Sequence, residues 1–317
     1  MNKDIVFLIN KSEITAGTRG SSIGPEAIIT AARNKGKTFF GDFPIEKLED
    51  VNYLLDGSTN HKYAKRIDGL LKVYDALNVK VSNLLLDNKF PLVLAADHGS
   101  AGGTIAGIKS AFPTKNIGIV WIDAHADIHT PYTTPSGNMH GMPLATVLND
   151  DNLQCKLNDL SEETVSYWEQ LKNVGGIAPK AKPSDLIYIG VRDTEEQEDS
   201  IMKRLNIRNY SVKEVREKGV SATVNEVLNK LSNCDLIYIS FDVDSMDPDV
   251  TSHGTGTPVK NGLYPGEAEE ILTLFAKNEK TVCIEFVEVN PCLDEKVNKM
   301  AEVAMSLVES VVNAVKE

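Results

Sequence analysis

Asp123, His125, Asp127 and His129 follow one another at every second position, directly after an apolar run from Ile117 to Ile122. A run of that length suits a buried strand. In an extended backbone, residues two apart project to the same side, so the carboxylates and imidazoles would converge. Unpaired buried carboxylates are costly. Carboxylate oxygens and imidazole nitrogens together make a nest for a hard or borderline divalent cation. A solvated polar loop is the plain alternative for this stretch taken alone. The spacing recurs in Asp242-Val243-Asp244, and four of the six histidines (His98, His125, His129 and His140) lie between positions 98 and 140. Histidine clusters invite a metal. His98 and His125 with Asp123, Asp127, Asp242 and Asp244 give two imidazoles, four carboxylates and no thiolate, a shell that favours manganese among the transition ions. Six side chains exceed the needs of one ion. They suit two ions about 3.5–4 Å apart that share carboxylates and a solvent molecule.

Such a set needs a scaffold that gathers distant residues. Apolar runs predict strands over 5–9, 91–96, 117–122, 186–191, 236–241 and 282–289. Between them, helical spacing predicts helices over 26–33, 62–86, 102–110, 161–171, 195–205, 222–231, 266–276 and 297–315. The segment 39–60 has no clear period, and 128–142 reads as a long polar loop. Strands alternate with helices throughout, and most strands are apolar at every position, as in a parallel sheet covered on both faces. The expectation is one three-layer α/β/α domain over residues 1–317 with a mostly parallel central sheet. Strands ending near Asp97-His98, Asp123, Arg192, Asp242 and Glu288 all finish in ionisable groups. In a parallel sheet these ends share one edge, where open α/β proteins place their ligands.

Composition narrows the function. The chain has 317 residues, 42% hydrophobic and 25% charged, the proportions of an ordinary globular protein. A net charge of −12 argues against a nucleic-acid partner and suits both plain solubility and the attraction of a cationic small molecule. Cys155, Cys234, Cys283 and Cys292 form no C-x-x-C pair, so reduced thiols are expected. The apolar stretch Ile5 to Asn10 is too short for a secretory signal. With no apolar run of about 18 residues to span a membrane, the expected location is the cytoplasm.

Three motifs, Ala96-Asp97-His98, Asp123-Ala124-His125-Ala126-Asp127 and Ser240-Phe241-Asp242-Val243-Asp244-Ser245-Met246-Asp247-Pro248, resemble the metal-binding motifs of the ureohydrolases, the family of arginase, agmatinase and formimidoylglutamase. Gly24-Pro25 and Glu288-Val289-Asn290-Pro291 fit as well, so the resemblance covers nearly the whole chain. It implies an arginase-like fold and two Mn2+ ions per subunit, with Co2+ or Ni2+ as alternatives. One ion would be held by His98, Asp123, Asp127 and Asp242, and the other by His125, Asp123, Asp242 and Asp244. The implied reaction is attack of a metal-bridging hydroxide on a guanidinium carbon. Asp127 resembles the family's proton carrier to the leaving amine, and His140 its general acid or proton shuttle. Glu288 would pair with the guanidinium.

The loop from Thr130 to Asn138 looks like that of arginase, in which groups at the positions of Thr134, Ser136 and Asn138 bind an α-carboxylate. Glu195 and Glu198 sit where arginases carry acids for the α-ammonium, and Thr257 matches a further substrate-side position. The implied reaction is therefore L-arginine plus water to L-ornithine plus urea. There are departures. His129 stands where many arginases have Asn, Glu195 is one methylene longer than the usual Asp, and Gly-Gly-Asp-His-Ser is replaced by Ala95-Ala96-Asp97-His98-Gly99-Ser100. The extended C-terminal tail of some trimeric arginases is not expected here, so a homo-oligomer is compatible with the resemblance but its order does not transfer. Formimidoylglutamase or agmatinase is the alternative within the family. A nucleotide-binding α/β domain, with Gly99-Ser100-Ala101-Gly102-Gly103 as a phosphate loop, lacks both glycine fingerprints and leaves the aspartates unexplained. A catalytically silent metal-binding relative would have no use for His140 and Glu288.

Overall fold

The computed structural model describes residues 3–317. Along β1 (Asp4–Asn10), Ile5, Phe7 and Ile9 enter one core, while Val6 and Leu8 enter another on the opposite face. A strand covered on both faces has no position for a polar residue, which is why the sequence shows a continuous run. The same division holds in β4 (Ile117–Ile122), where Ile117, Ile119 and Trp121 face one core and Val120 and Ile122 the other.

The remaining strands are β2 (Ile45–Lys47), β3 (Lys89–Ala95), β5 (Leu186–Ile189), β6 (Arg208–Tyr210), β7 (Leu236–Asp242) and β8 (Thr281–Val287). Helices α1 (Gly24–Asn34), α7 (Val212–Lys218), α8 (Val220–Lys230), α9 (Pro265–Ala276) and α10 (Lys299–Lys316) supply buried side chains to the first core. Helices α2 (Ile67–Leu86), α3 (Ala101–Ala111), α4 (Pro143–Leu148), α5 (Glu162–Lys172) and α6 (Glu196–Arg204) do so for the second. No helix among the described residues is long and apolar enough to cross a membrane.

The eight strands form one sheet in the order β2-β1-β3-β8-β7-β4-β5-β6, and every pairing is parallel. The four central strands, β3, β8, β7 and β4, are the ones that end next to His98, Glu288, Asp242 and Asp123. Residues up to 190 positions apart are thereby brought to one edge: the His98 backbone N–H donates to Glu288 Oε1 at 3.0 Å.

The expected α/β fold with a mostly parallel central sheet is present, and the sheet is parallel throughout; several details differ. Two short edge strands, β2 and β6, join the expected set; three residues are too few to show a period. Helices α4 and α7 also join the pattern. Helix α2 starts at Ile67, since Arg66 takes a left-handed conformation with φ 58°. Strand β8 stops at Val287, leaving Glu288 beyond it at φ 66°.

The N-terminus of α1 sits directly on this last turn. A Cβ on Gly24 would lie 2.1 Å from the Val289 carbonyl oxygen. Gly24→Ala is expected to cost about 1–3 kcal/mol through overpacking. It should lower the urea midpoint without changing the m-value; an unchanged midpoint would show that α1 is not held against the end of β8.

Candidate metal centre

The two aspartate motifs are closed by the same local hydrogen bond. Asp123 Oδ1 accepts the backbone N–H of His125, and Asp242 Oδ1 accepts that of Asp244, each at 2.8 Å. Aspartate favours this turn because its carboxylate reaches the backbone two residues on. The motifs are also tied to each other, with the Ala124 N–H donating to Asp244 Oδ1 at 3.2 Å. This corrects the expected extended run: β4 has ended by Asp123, and Asp127 adopts φ 47°. Convergence comes from turns rather than from strand alternation. Left-handed backbone at Asp127 and Glu288 is a local cost of order 1 kcal/mol each, of a kind that collects at functional sites.

His98 lies at the centre. Its Nδ1 is 3.0 Å from Asp123 Oδ2, 3.1 Å from Asp127 Oδ2 and 3.3 Å from Asp242 Oδ2. Its Nε2 bonds Ser240 Oγ at 2.7 Å, and its ring stacks on Trp121 at 3.9 Å between centroids. The Trp121 indole N–H donates to Asp123 Oδ2 at 3.0 Å, so one side chain orients both groups. His125 Nδ1 stands 3.1 Å from Asp244 Oδ2 and 3.5 Å from Asp123 Oδ1, with Asp193 Oδ2 at 3.7 Å from its Nε2.

Electrostatics set these groups against one another. Burial disfavours a charged His98, but the carboxylates of Asp123, Asp127 and Asp242 reverse this and raise its pKa well above the ordinary value. Burial likewise opposes charge on His125, yet Asp244 and Asp123 raise its pKa. Burial, then the charges of Asp244 and Asp123, push Asp242 well up; burial and Asp123 push Asp127 up. For Asp123, burial acts upward but the hydrogen bonds with His125 and His98 bring the pKa below its usual range.

The donor set fits two cations. His98 Nδ1 is buried without a hydrogen-bond partner. With Nε2 engaged by Ser240, Nδ1 directs its ligating position into three carboxylates. Ligand atoms of His98, Asp123 and Asp127 approach within 4.8 Å of one another, as do those of Asp123, His125 and Asp244. Asp123 belongs to both groups, and Asp242 joins the first through its 3.3 Å approach to His98.

The other expected residues gather around one cavity of about 360 Å³, lined by His98, His125, Asp127, His129, Thr134, Ser136, Asn138, His140, Glu195, Glu198, Asp242, Asp244 and Thr257. His140 Nδ1 is 3.4 Å from Glu288 Oε1, and Thr257 Oγ1 donates to Asp244 Oδ2 at 3.1 Å. Burial lowers and Glu288 raises the His140 pKa, with a net rise. Thr134 Oγ1 accepts the N–H groups of Ser136 and Gly137, and Lys65 Nζ donates to Asn138 Oδ1 at 3.0 Å. The expected polar loop is thus ordered by its own hydroxyls and is largely buried. His129 Nε2 bonds Glu195 Oε2 at 3.0 Å.

Trp121, Ser240 and Lys65 are functional neighbours that the sequence pattern does not single out. In the sequence Trp121 is one more member of an apolar strand and Ser240 one more position of a motif. Their roles depend on which side of the sheet they face. Asp97 is fixed by the Thr15 N–H at 2.9 Å, and burial followed by the Glu288 charge pushes its pKa up to about 7.

Comparison with known proteins places these features in context. A family model described as the Arginase family matches residues 3–313. The arginase of Bacillus subtilis (strain 168) is 34% identical over 310 residues, covering 98% of each chain, and that of Brevibacillus brevis is 35% identical over 316 residues, again covering 98% of each. Among solved structures, an arginase from Bacillus caldovelox aligns with a TM-score of 0.81 at 31% identity, covering 98% of each chain. A formimidoylglutamase from Bacillus subtilis shares the fold at a TM-score of 0.74 and 20% identity, covering 100% of this chain and 88% of that one.

Raised pKa values at His98 and His125 mean that the ion-free cluster holds protons on both imidazoles near neutral pH. Metal ions must displace them. Calorimetric titration of the ion-free protein with Mn2+ in buffers of different ionisation enthalpy is expected to show net proton release, with affinity rising with pH. Proton uptake, or affinity independent of pH between 6 and 8, would contradict the cluster's electrostatics.

Proposed function

The chain belongs to the arginase family, and from that footing we propose that it hydrolyses L-arginine to L-ornithine and urea, with residues 1–317 acting as one catalytic unit. The observation that carries the reading is the pair of ligand groups sharing Asp123 at the floor of a cavity whose rim holds both carboxylates and hydroxyls.

His98, Asp123, Asp127 and Asp242 would hold one ion, and His125, Asp123, Asp242 and Asp244 the other. An oxygen-rich shell with one imidazole per ion supports manganese, with cobalt or nickel as substitutes. Such ions, when bound, supply the Lewis-acid charge that makes water nucleophilic near neutral pH. Glu288 receives the guanidinium, a cation matched to a carboxylate, and its place against the His98 N–H fixes the substrate over the cluster. Hydrolysis adds water across the guanidinium carbon and one C–N bond, so the departing amine needs a proton. Asp127 is placed to carry it, since its carboxylate lines the cavity beside His98. His140, at the cavity wall beside Glu288, exchanges that proton with solvent.

At the far end, Thr134, Ser136 and Asn138 take the α-carboxylate, and Glu195 and Glu198 the α-ammonium. Thr257 steadies Asp244. Agmatine lacks the carboxylate, so the hydroxyl loop favours arginine over it. The protein's setting is read as cytoplasmic, and assembly into a homo-oligomer is compatible with the family.

A urea-release screen against arginine and agmatine, with formimidoylglutamate followed through its own product, in Mn2+, Co2+ and Ni2+ tests the activity. Arginine with manganese is expected to lead. Ser136→Ala should lower kcat/KM for arginine about tenfold, the loss of a hydrogen bond to a charged group, while agmatine turnover changes little. Equal losses on the two substrates would remove the α-carboxylate assignment.

A further inference from the structure

A second group of metal-ligating side chains converges in the same cavity and shares no residue with the Asp123 cluster. His129, Glu195 and Glu198 bring one ligand atom each within 4.8 Å of one another. His129 is buried, and its Nε2 lies 3.0 Å from Glu195 Oε2 and 3.8 Å from Glu198 Oε2. Ligands at about 2.0–2.2 Å around tetrahedral zinc are separated by about 3.3–3.6 Å, and the two observed separations bracket that range.

The three groups are held from behind. His129 Nδ1 bonds Thr133 Oγ1 at 3.0 Å, and that oxygen also receives the Thr130 N–H at 3.0 Å. Thr130 O, at 3.4 Å, is available for the hydroxyl proton. His129 is thus anchored through Nδ1, with Nε2 facing the carboxylates. A histidine oriented through its far nitrogen is the usual arrangement of a metal ligand. Glu198 is buried too, and its oxygens receive the N–H groups of Ile128 at 3.3 Å and Glu195 at 3.2 Å. His129 Nε2 and one oxygen from each glutamate thus offer one nitrogen and two oxygen ligands around a shared point.

We propose that His129, Glu195 and Glu198 form a third divalent-cation site, selective for a borderline ion such as zinc, whose occupation blocks the substrate's α-ammonium end. The blocking half rests on the assignment of Glu195 and Glu198 to that ammonium given above; the site itself does not. A bound ion would join the substrate loop to the start of α6 and withdraw both carboxylates from the cavity.

The full-length protein is loaded with two equivalents of Mn2+, titrated with Zn2+, desalted and counted for each metal, and its crystals are measured at the zinc edge. The expected result is one Zn2+ between His129, Glu195 and Glu198 with both Mn2+ retained. His129→Asn and Glu195→Gln should each lose the zinc and keep the manganese. Glutamine at position 195 keeps a side-chain oxygen that can cap the first turn of α6 and removes only the charge. Zinc should also raise the apparent KM for arginine at constant kcat, and both variants should lose that effect. Zinc that only displaces manganese, or a third ion retained in both variants, overturns the site. Zinc bound there without competition overturns the blocking role, whereas a manganese enzyme that releases no urea from arginine refutes the activity and leaves the metal count untouched.

Discussion

Asp123, Asp127, Asp242 and Asp244 are buried against one another, with His98 and His125 among them. Burying even one unpaired carboxylate costs several kcal/mol, so four in contact demand positive charge. Protons on the imidazoles and on some of the acids meet that demand when no ion is bound. Divalent cations meet it better, since each supplies two charges and accepts several lone pairs at once. Strain at Asp127 and Glu288, the orphan nitrogen of His98 and the paired aspartate turns all follow from holding this charge in place.

The sheet makes that concentration of charge tolerable. Parallel strands bury apolar residues on both faces and expose turns at one edge, so the polar groups need not cross the core. The order β3-β8-β7-β4 sets four chain segments side by side where their C-terminal turns meet. Trp121 shows how packing and chemistry are coupled, because its ring supports His98 while its N–H fixes Asp123. A change inside the strand would therefore reach the centre without touching a ligand.

Much of this was legible in the sequence for a physical reason. Buried carboxylates and imidazoles at short spacing are too costly to occur without a use, and apolar runs that end in them reveal strand direction. The way the aspartates converge was not legible. An extended strand and an aspartate turn both accept Asp-x-His, and only the hydrogen bond from His125 to Asp123 distinguishes them. Strands β2 and β6 escaped notice because three residues at a sheet edge need no apolar alternation. The partnership of His129 with Glu195 spans 66 positions and depends on where α6 begins. No local pattern could have carried it.

The account stands or falls on Asp123 and Asp242 serving both ions. Metal content after desalting, measured by mass spectrometry on Asp123→Ala, Asp242→Ala, Asp127→Ala and Asp244→Ala, separates shared from private ligands once circular dichroism has shown each variant folded. The account predicts that the first two variants retain neither ion, whereas each of the last two retains one. A folded Asp123→Ala or Asp242→Ala protein that still holds two ions would contradict it.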